Sequence, residues 1–169
     1  MTSTARTCTA LLALASAGAF ALPAAAEELS FMAELTGAAQ VPPVETEATG
    51  MADVTVDTEA MTISWIVTYE GMSTDPGSSP LTWPVAAHVH GPATPEETGP
   101  GVIHLTADLD EAAGGAEEPL HLDIMDGSSE LTEEQLADLR AGLLYINIHT
   151  PQNNDGEIRG QVVEGEAEM

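Results

Sequence analysis

An alternation of apolar and polar residues with a period of two runs through most of the chain after residue 26. Its clearest example places an apolar or aromatic residue at every second position: Met61, Ile63, Trp65, Val67 and Tyr69. Successive side chains of a β-strand point to opposite sides, so this spacing predicts a strand with one buried face. Shorter alternations predict strands over 29–35 and 51–56, and residues 57–60 predict a tight hairpin connection.

The second half of the chain predicts further strands and one helix. Five more stretches have strand-like composition between segments that contain Gly or Pro: 85–90, 102–109, 120–125, 144–149 and 157–163. Thr132 and Gln135 have the capping-box spacing, in which each side chain bonds the other residue's backbone amide, so we expect a helix to begin there. About eight strands and one short helix predict an all-β fold, either an antiparallel sandwich or a Greek-key barrel.

The first 26 residues have a different pattern. Arg6 is their only charged residue, an unbroken run of apolar and small residues covers 10–22, and small residues at 23–26 precede Glu27. This order is typical of a secretory signal peptide, and the run is too short to span a bilayer comfortably. We therefore predict a signal peptide over 1–26, a β domain over 27–169, secreted or periplasmic localisation and no membrane insertion. Cys8 lies inside the predicted signal, so the mature protein would contain no thiol.

The predicted mature chain is extremely acidic. The full sequence has 28 acidic residues against three basic ones, with no lysine, and its net charge is −25. Removal of Arg6 with the signal peptide leaves −26. Such a surface repels nucleic acid and anionic membranes, because both are bound through Lys and Arg. We interpret the charge as halophilic adaptation, in which dissolved ions screen the self-repulsion.

Three histidines are the strongest candidates for chemistry. His88 and His90 are two residues apart on a predicted strand, so their side chains share one face. His149 lies on the face of its strand opposite to Leu144, Ile146 and Ile148. If the two strands are neighbours, the three imidazoles predict a copper or zinc site. The alternative is a hydrogen-bonded surface pair without metal.

The remaining candidates are weaker. His104 and His121 each lie between apolar residues, and we expect both to face solvent on strands. Arg159 is either a partner of nearby carboxylates or a candidate anion-orienting residue near His149. The stretch 153–157 lacks the spacing of an EF-hand calcium loop and predicts a turn instead. The mature chain offers no cysteine nucleophile, serine elbow or phosphate loop, and we assign no catalytic residue.

Three separated motifs occur along the chain: LTGAAQVPP at 35–43, AHVHGPA at 87–93, and LYINIHT at 144–150 followed by GEIRGQ at 156–161. In this order they resemble the CHRD (chordin-type) family found in bacterial secreted proteins. The resemblance covers about 29–165. It implies an immunoglobulin-like β-barrel with distant similarity to Cu/Zn superoxide dismutase.

The resemblance to the dismutases also implies roles for individual residues. By position, His88, His90 and His149 match copper ligands, and Arg159 loosely matches an anion-guiding arginine. The dismutase disulfide and the zinc loop are absent from this sequence. A charge of −26 would also repel superoxide.

These observations leave three functional hypotheses. The leading one is an exported CHRD-domain binding module with a three-His copper or zinc site and an unknown protein or small-molecule partner. The second is an enzyme with dismutase-like copper redox chemistry. The third is a structural or protein-interaction module that binds no metal.

Overall fold

The computed structural model describes residues 27–73, 86–105 and 124–165. The predicted signal peptide, His121 and parts of three predicted strands (85–90, 102–109 and 120–125) lie outside these ranges. Within them the chain forms a 3-10 helix (Gly37–Ala39), an α-helix, α1 (Glu133–Arg140), and nine strands: β1 (Glu28–Thr36), β2 (Thr49–Asp57), β3 (Thr62–Glu70), β4 (Ala86–His90), β5 (Gly101–His104), β6 (Ile124–Glu130), β7 (Tyr145–His149), β8 (Ile158–Gln161) and β9 (Val163–Glu164).

The strands form one antiparallel sheet that curls into a nearly closed barrel. Its order is β5-β4-β7-β8-β1-β2-β3-β6, and β9 pairs with β1 beside β8. The predicted all-β fold class, with about eight strands and one short helix, is therefore confirmed. The hairpin predicted at 57–60 is present as the antiparallel pair β2–β3, and β7 and β8 also pair antiparallel on either side of the turn predicted at 153–157.

The period-two pattern places the hydrophobic core inside the barrel. On β3, Ile63, Trp65, Val67 and Tyr69 are each at most 3% exposed. Met61 was predicted on the same strand face, and that prediction is wrong because Met61 lies in the turn with a φ of 51°. The turn forms because Asp57 Oδ1 accepts hydrogen bonds from two backbone amides that follow it.

The helix α1 has the predicted start and links the two ends of the sheet. Thr132 and Gln135 form the complete capping box, and Leu139 is buried in the core. Gln135 Nε2 also donates to the carbonyl of Val102 on β5 over 3.4 Å. Because α1 directly follows β6, this contact joins the two strands at opposite ends of the sheet order.

Strand β6 continues further along the chain than the sequence predicts. It was expected over 120–125, whereas the described strand runs from Ile124 to Glu130. The difference arises because β6 pairs with β3 over its whole length, from Thr68↔Ile124 to Thr62↔Glu130. Backbone pairing with a neighbour thus holds a polar segment in strand conformation that its own composition does not favour.

Neighbouring strands β4 and β7 have matching inner and outer faces. Ala87 and Val89 of β4, and Ile146 and Ile148 of β7, point into the core. The histidines of both strands therefore lie on the outer face. Among the described residues, no helix combines the length and apolar character needed to cross a membrane.

Candidate metal centre

The three histidines singled out from the sequence lie together on the outside of the barrel. One potential ligand nitrogen from each of His88, His90 and His149 falls within 4.8 Å of the other two. The ring centroids are 5.2–5.6 Å apart. This is the one such group of metal-ligating side chains found within the described parts of the chain.

Strand register explains why these side chains meet. Strands β4 and β7 are antiparallel neighbours, with His88 opposite Asn147 and His149 opposite Ala86. Residues that face each other across a ladder point to the same side of the sheet. His88 and His90 on one strand and His149 on the next therefore share the outer face, as the alternation in each strand predicted.

Within the part of the chain that the structure describes, each imidazole has one buried nitrogen without a hydrogen-bond partner. These atoms are His88 Nδ1, His90 Nε2 and His149 Nε2. The other nitrogen of His90, Nδ1, lies 3.0 Å from the carbonyl of Gly99, and Nδ1 of His149 lies 2.9 Å from the carbonyl of Asn154. A carbonyl oxygen only accepts, so Nδ1 carries the proton in both rings and Nε2 keeps its lone pair.

The surroundings favour the neutral form of two of these imidazoles. Burial, together with the nearby imidazoles of His149, His104 and His90, lowers the pKa of His88 from 6.5 to about 4. Burial also lowers the pKa of His90, although the hydrogen bond to the Gly99 carbonyl opposes the change. Because metal ions bind the unprotonated ring nitrogen, these two side chains are ready to act as ligands at neutral pH.

His104 lies next to this group without completing it. It is directly opposite His88 in the β4–β5 pair, and the two ring centroids are 4.6 Å apart. Its side chain is exposed, as the sequence predicted, and its nitrogens are not part of the 4.8 Å group.

Residues 31–162 match the family model of the CHRD domain. The chain belongs to the CHRD family. No curated protein and no solved structure shows a significant match to it.

Arg159 of this CHRD domain lies on β8 and is 1% exposed. Its guanidinium carbon is 3.5 Å from the centroid of the Tyr145 ring. Its terminal nitrogens donate to the carbonyls of Glu97 at 2.8 Å and Thr94 at 3.1 Å. Backbone carbonyls therefore accept hydrogen bonds from the buried guanidinium and stabilise its charge. Its proposed anion-orienting role stays a prediction.

Glu157, Asn147 and Tyr145 also support this region, and no such role was predicted for them from the sequence. Glu157 is fully buried and accepts hydrogen bonds from Thr46, Ser73 and Thr150. These bonds outweigh the opposing effect of burial and lower the pKa of its carboxyl group. The turn that carries Asn154 is thereby tied to two distant segments.

Asn147 holds the same turn from the strand side. Its amide nitrogen donates to the carbonyl of Asp155 at 3.1 Å, and its oxygen accepts from Gln40 Nε2 at 2.7 Å. Gly156 has a φ of +121°, and a Cβ at that position would collide with the Asn147 amide. Only glycine fits here, so the turn that supplies the His149 partner has one tightly specified path.

Proposed function

We propose that this protein is exported and acts as a binding module that holds one copper or zinc ion. The ligands would be Nδ1 of His88 and Nε2 of His90 and His149. The observation that carries the proposal is that each of the three rings offers one nitrogen within 4.8 Å of the other two, and that each ring has one buried nitrogen with no hydrogen-bond partner among the described residues. A buried polar atom without a partner costs about 1–3 kcal/mol, and one ion would satisfy all three atoms.

The dimensions of the cluster suit a first-row metal ion. Three atoms within 4.8 Å of one another leave a point no more than about 2.8 Å from each of them. Zinc–imidazole bonds are about 2.0–2.1 Å long, so the side chains would need to draw in by less than about 1 Å. Small rotations of the three rings supply a movement of that size.

The donor set supports copper and zinc over harder ions. Imidazole suits both metals, and in the general order of affinity of divalent first-row metal ions for protein ligands copper binds more tightly than zinc. The Nδ1–H groups of His90 and His149 donate to backbone carbonyls, which fixes the ring orientation in the way typical of metal-binding histidines. A bound ion with three protein ligands would supply a Lewis-acidic centre with a position for one further ligand.

Export is the second part of the proposal. It is supported by the signal-like pattern of residues 1–26 and by membership of a family found in secreted proteins. N-terminal sequencing of the protein purified from its natural source should begin at Glu27. A chain that begins at Met1 would contradict this part and leave the metal site unaffected.

Metal stoichiometry tests the site directly. Purified mature protein, loaded with copper or zinc and desalted, should retain one ion per chain by elemental analysis. The variant His149→Ala should retain less than about a tenth of that. His104→Ala is the matched control, because it removes an exposed imidazole beside His88, and it should keep one ion. Stoichiometric metal in His149→Ala would contradict the proposal.

The two other hypotheses have less support. Dismutase-like activity requires an anionic substrate to approach a strongly negative protein, which slows association. A superoxide assay on the copper-loaded protein, with His88→Ala as a control, should give a rate no faster than free copper. A purely structural role would leave three buried nitrogens that find no hydrogen-bond partner in residues 27–73, 86–105 and 124–165.

A further inference from the structure

The ring of His90 is held by two groups at once. Its Nδ1 lies 3.0 Å from the Gly99 carbonyl, and its face stacks on Tyr145 with a centroid separation of 5.1 Å and an interplanar angle of 17°. The first contact fixes the proton on Nδ1, and the second fixes the plane of the ring. With Nδ1 engaged, Nε2 is the ring nitrogen left free for a ligand role, and it has no hydrogen-bond partner within the described ranges.

Tyr145 contacts the same glycine that orients His90. Its hydroxyl accepts from the Gly99 amide at 3.1 Å and donates to the Gly99 carbonyl at 3.3 Å. The tyrosine ring is nearly fully buried and contacts both the His90 ring and the Arg159 guanidinium. The three side chains, from the adjacent strands β4, β7 and β8, are therefore linked through Tyr145.

Arg159 and its neighbour Gln161 fasten the other part of the 91–100 loop. Arg159 donates to the carbonyls of Thr94 and Glu97, and Gln161 Nε2 donates to the carbonyl of Ala93 at 2.9 Å. The planar guanidinium suits two separate acceptors, which a lysine ammonium at one point does not reproduce. The 91–100 loop, which contains Gly99, is thus held along its length.

The charge environment of Arg159 is unusual for this chain. The protein has 28 acidic residues, yet no carboxylate pairs with Arg159 in the described ranges. Its donors go to backbone carbonyls and to Gln161 instead. Burying a cation without a counter-charge is costly. The guanidinium therefore depends on its hydrogen bonds to the 91–100 loop, and those bonds fix the position of the loop.

We infer that Arg159 is a positioning residue for His90, acting through Tyr145 and the 91–100 loop to keep Nε2 of His90 directed at the metal. This inference rests on the proposed metal binding. It gives Arg159 a role in holding a ligand, separate from the anion-orienting role expected from the sequence.

Arg140 provides a matched control for the test. It is the other arginine outside the predicted signal peptide, its side chain is half exposed, and it forms a 3.6 Å ion pair with exposed Glu27. Arg159→Met and Arg140→Met remove the same charge from the protein. A difference between the two variants therefore reports the local contacts of Arg159 and excludes the change in overall field.

The first measurement is made on metal-free protein. Nitrogen-15 NMR of the His90 ring should show Nδ1 protonated and Nε2 unprotonated in the wild type and in Arg140→Met. In Arg159→Met the chemical shifts of both nitrogens should move toward those of a ring that exchanges between its two tautomers. If Arg159→Met does not fold, Tyr145→Phe replaces it, because this variant keeps the stacked ring and removes only the hydroxyl bonds to Gly99. It should shift the two His90 nitrogen resonances in the same direction.

The second measurement is metal affinity by competition with a chelator. Arg159→Met should bind copper or zinc about 10-fold to 100-fold more weakly, which is the usual effect of removing a group that orients a metal ligand. Arg159→Lys should fall between Arg159→Met and wild type, and Arg140→Met should stay within about twofold of wild type.

The two proposals fail in different ways. A wild-type protein that binds no metal would overturn the proposed function, while a changed His90 tautomer in Arg159→Met would still support the link from Arg159 to His90. A His90 spectrum in Arg159→Met that matches Arg140→Met would overturn the positioning role, whatever the affinity.

Discussion

Two parts of the outer surface of the barrel differ in how far their outward side chains are exposed to solvent. On β1, β2 and β3 the outward residues are exposed to solvent, including Met32, Met51 and Ile66. We refer to this surface as the bare face. On β4, β7 and β8 the outward residues include Tyr145, Asn147 and Arg159, each at most 3% exposed. We refer to this second surface as the covered face.

The difference lies in the connections and not in the strands. The bare face lies on three strands, and the connection between β2 and β3 is the short turn at 58–61, which leaves the outer side of that hairpin open. The covered face lies beneath the 91–100 loop, the 150–157 turn and the segment that follows β1. Polar side chains there make hydrogen bonds that need those loops, such as Gln40 to Asn147. Burial of polar groups on one outer face therefore marks the candidate site.

The largest expected difference between the faces is in the cost of removing a carboxylate. Glu157→Ala removes the acceptor of four hydrogen bonds from Thr46, Ser73 and Thr150. We expect a loss of about 3 kcal/mol or more in the free energy of unfolding, measured by urea denaturation. Glu34→Ala, which removes an exposed carboxylate from the bare face, should change it by less than about 0.5 kcal/mol. Equal effects would end the distinction between the faces.

A smaller effect should appear when the pH is lowered. The pKa of His88 is lowered to about 4 in the folded protein, whereas an unfolded chain takes up this proton near 6.5. Between these values the unfolded state binds more protons, so the free energy of unfolding of metal-free protein should fall as pH falls from about 6.5 to 4. Urea denaturation at several pH values should show a shallower fall in His88→Asn. Parallel curves for the two proteins would contradict the lowered pKa.

The smallest effect is expected for an apolar residue on the bare face. Met32 is 42% exposed and faces solvent beside Val163 of β9. Met32→Gln should shift the unfolding free energy by less than about 0.5 kcal/mol and leave metal retention unchanged. A loss above about 2 kcal/mol would mean that the bare face is covered in solution.

The sequence predicted the barrel well where local patterns carry the information. Alternation located β1, β2, β3 and β7, and the Thr132–Gln135 capping box located the start of α1. The sequence did not predict the full extent of β6, because that strand depends on pairing with β3 and its residues are mostly polar.

The candidate site was predictable only in part. The three histidines follow from spacing and from alternation on two strands. The covering loops do not, because they depend on contacts such as the Gln40–Asn147 hydrogen bond, which joins residues 107 positions apart. Glu157 gave no signal, since one carboxylate among 28 acidic residues carries little information. Arg159 was noticed for its rarity, but its acceptors on the 91–100 loop are set by tertiary structure.

The most direct test of the metal site is a crystal structure of protein loaded with copper or zinc, with anomalous diffraction data on both sides of the metal absorption edge. A single anomalous peak should lie about 2.0–2.1 Å from Nδ1 of His88 and from Nε2 of His90 and His149. A peak coordinated by other side chains, or no peak in crystals grown with stoichiometric metal, would contradict the account.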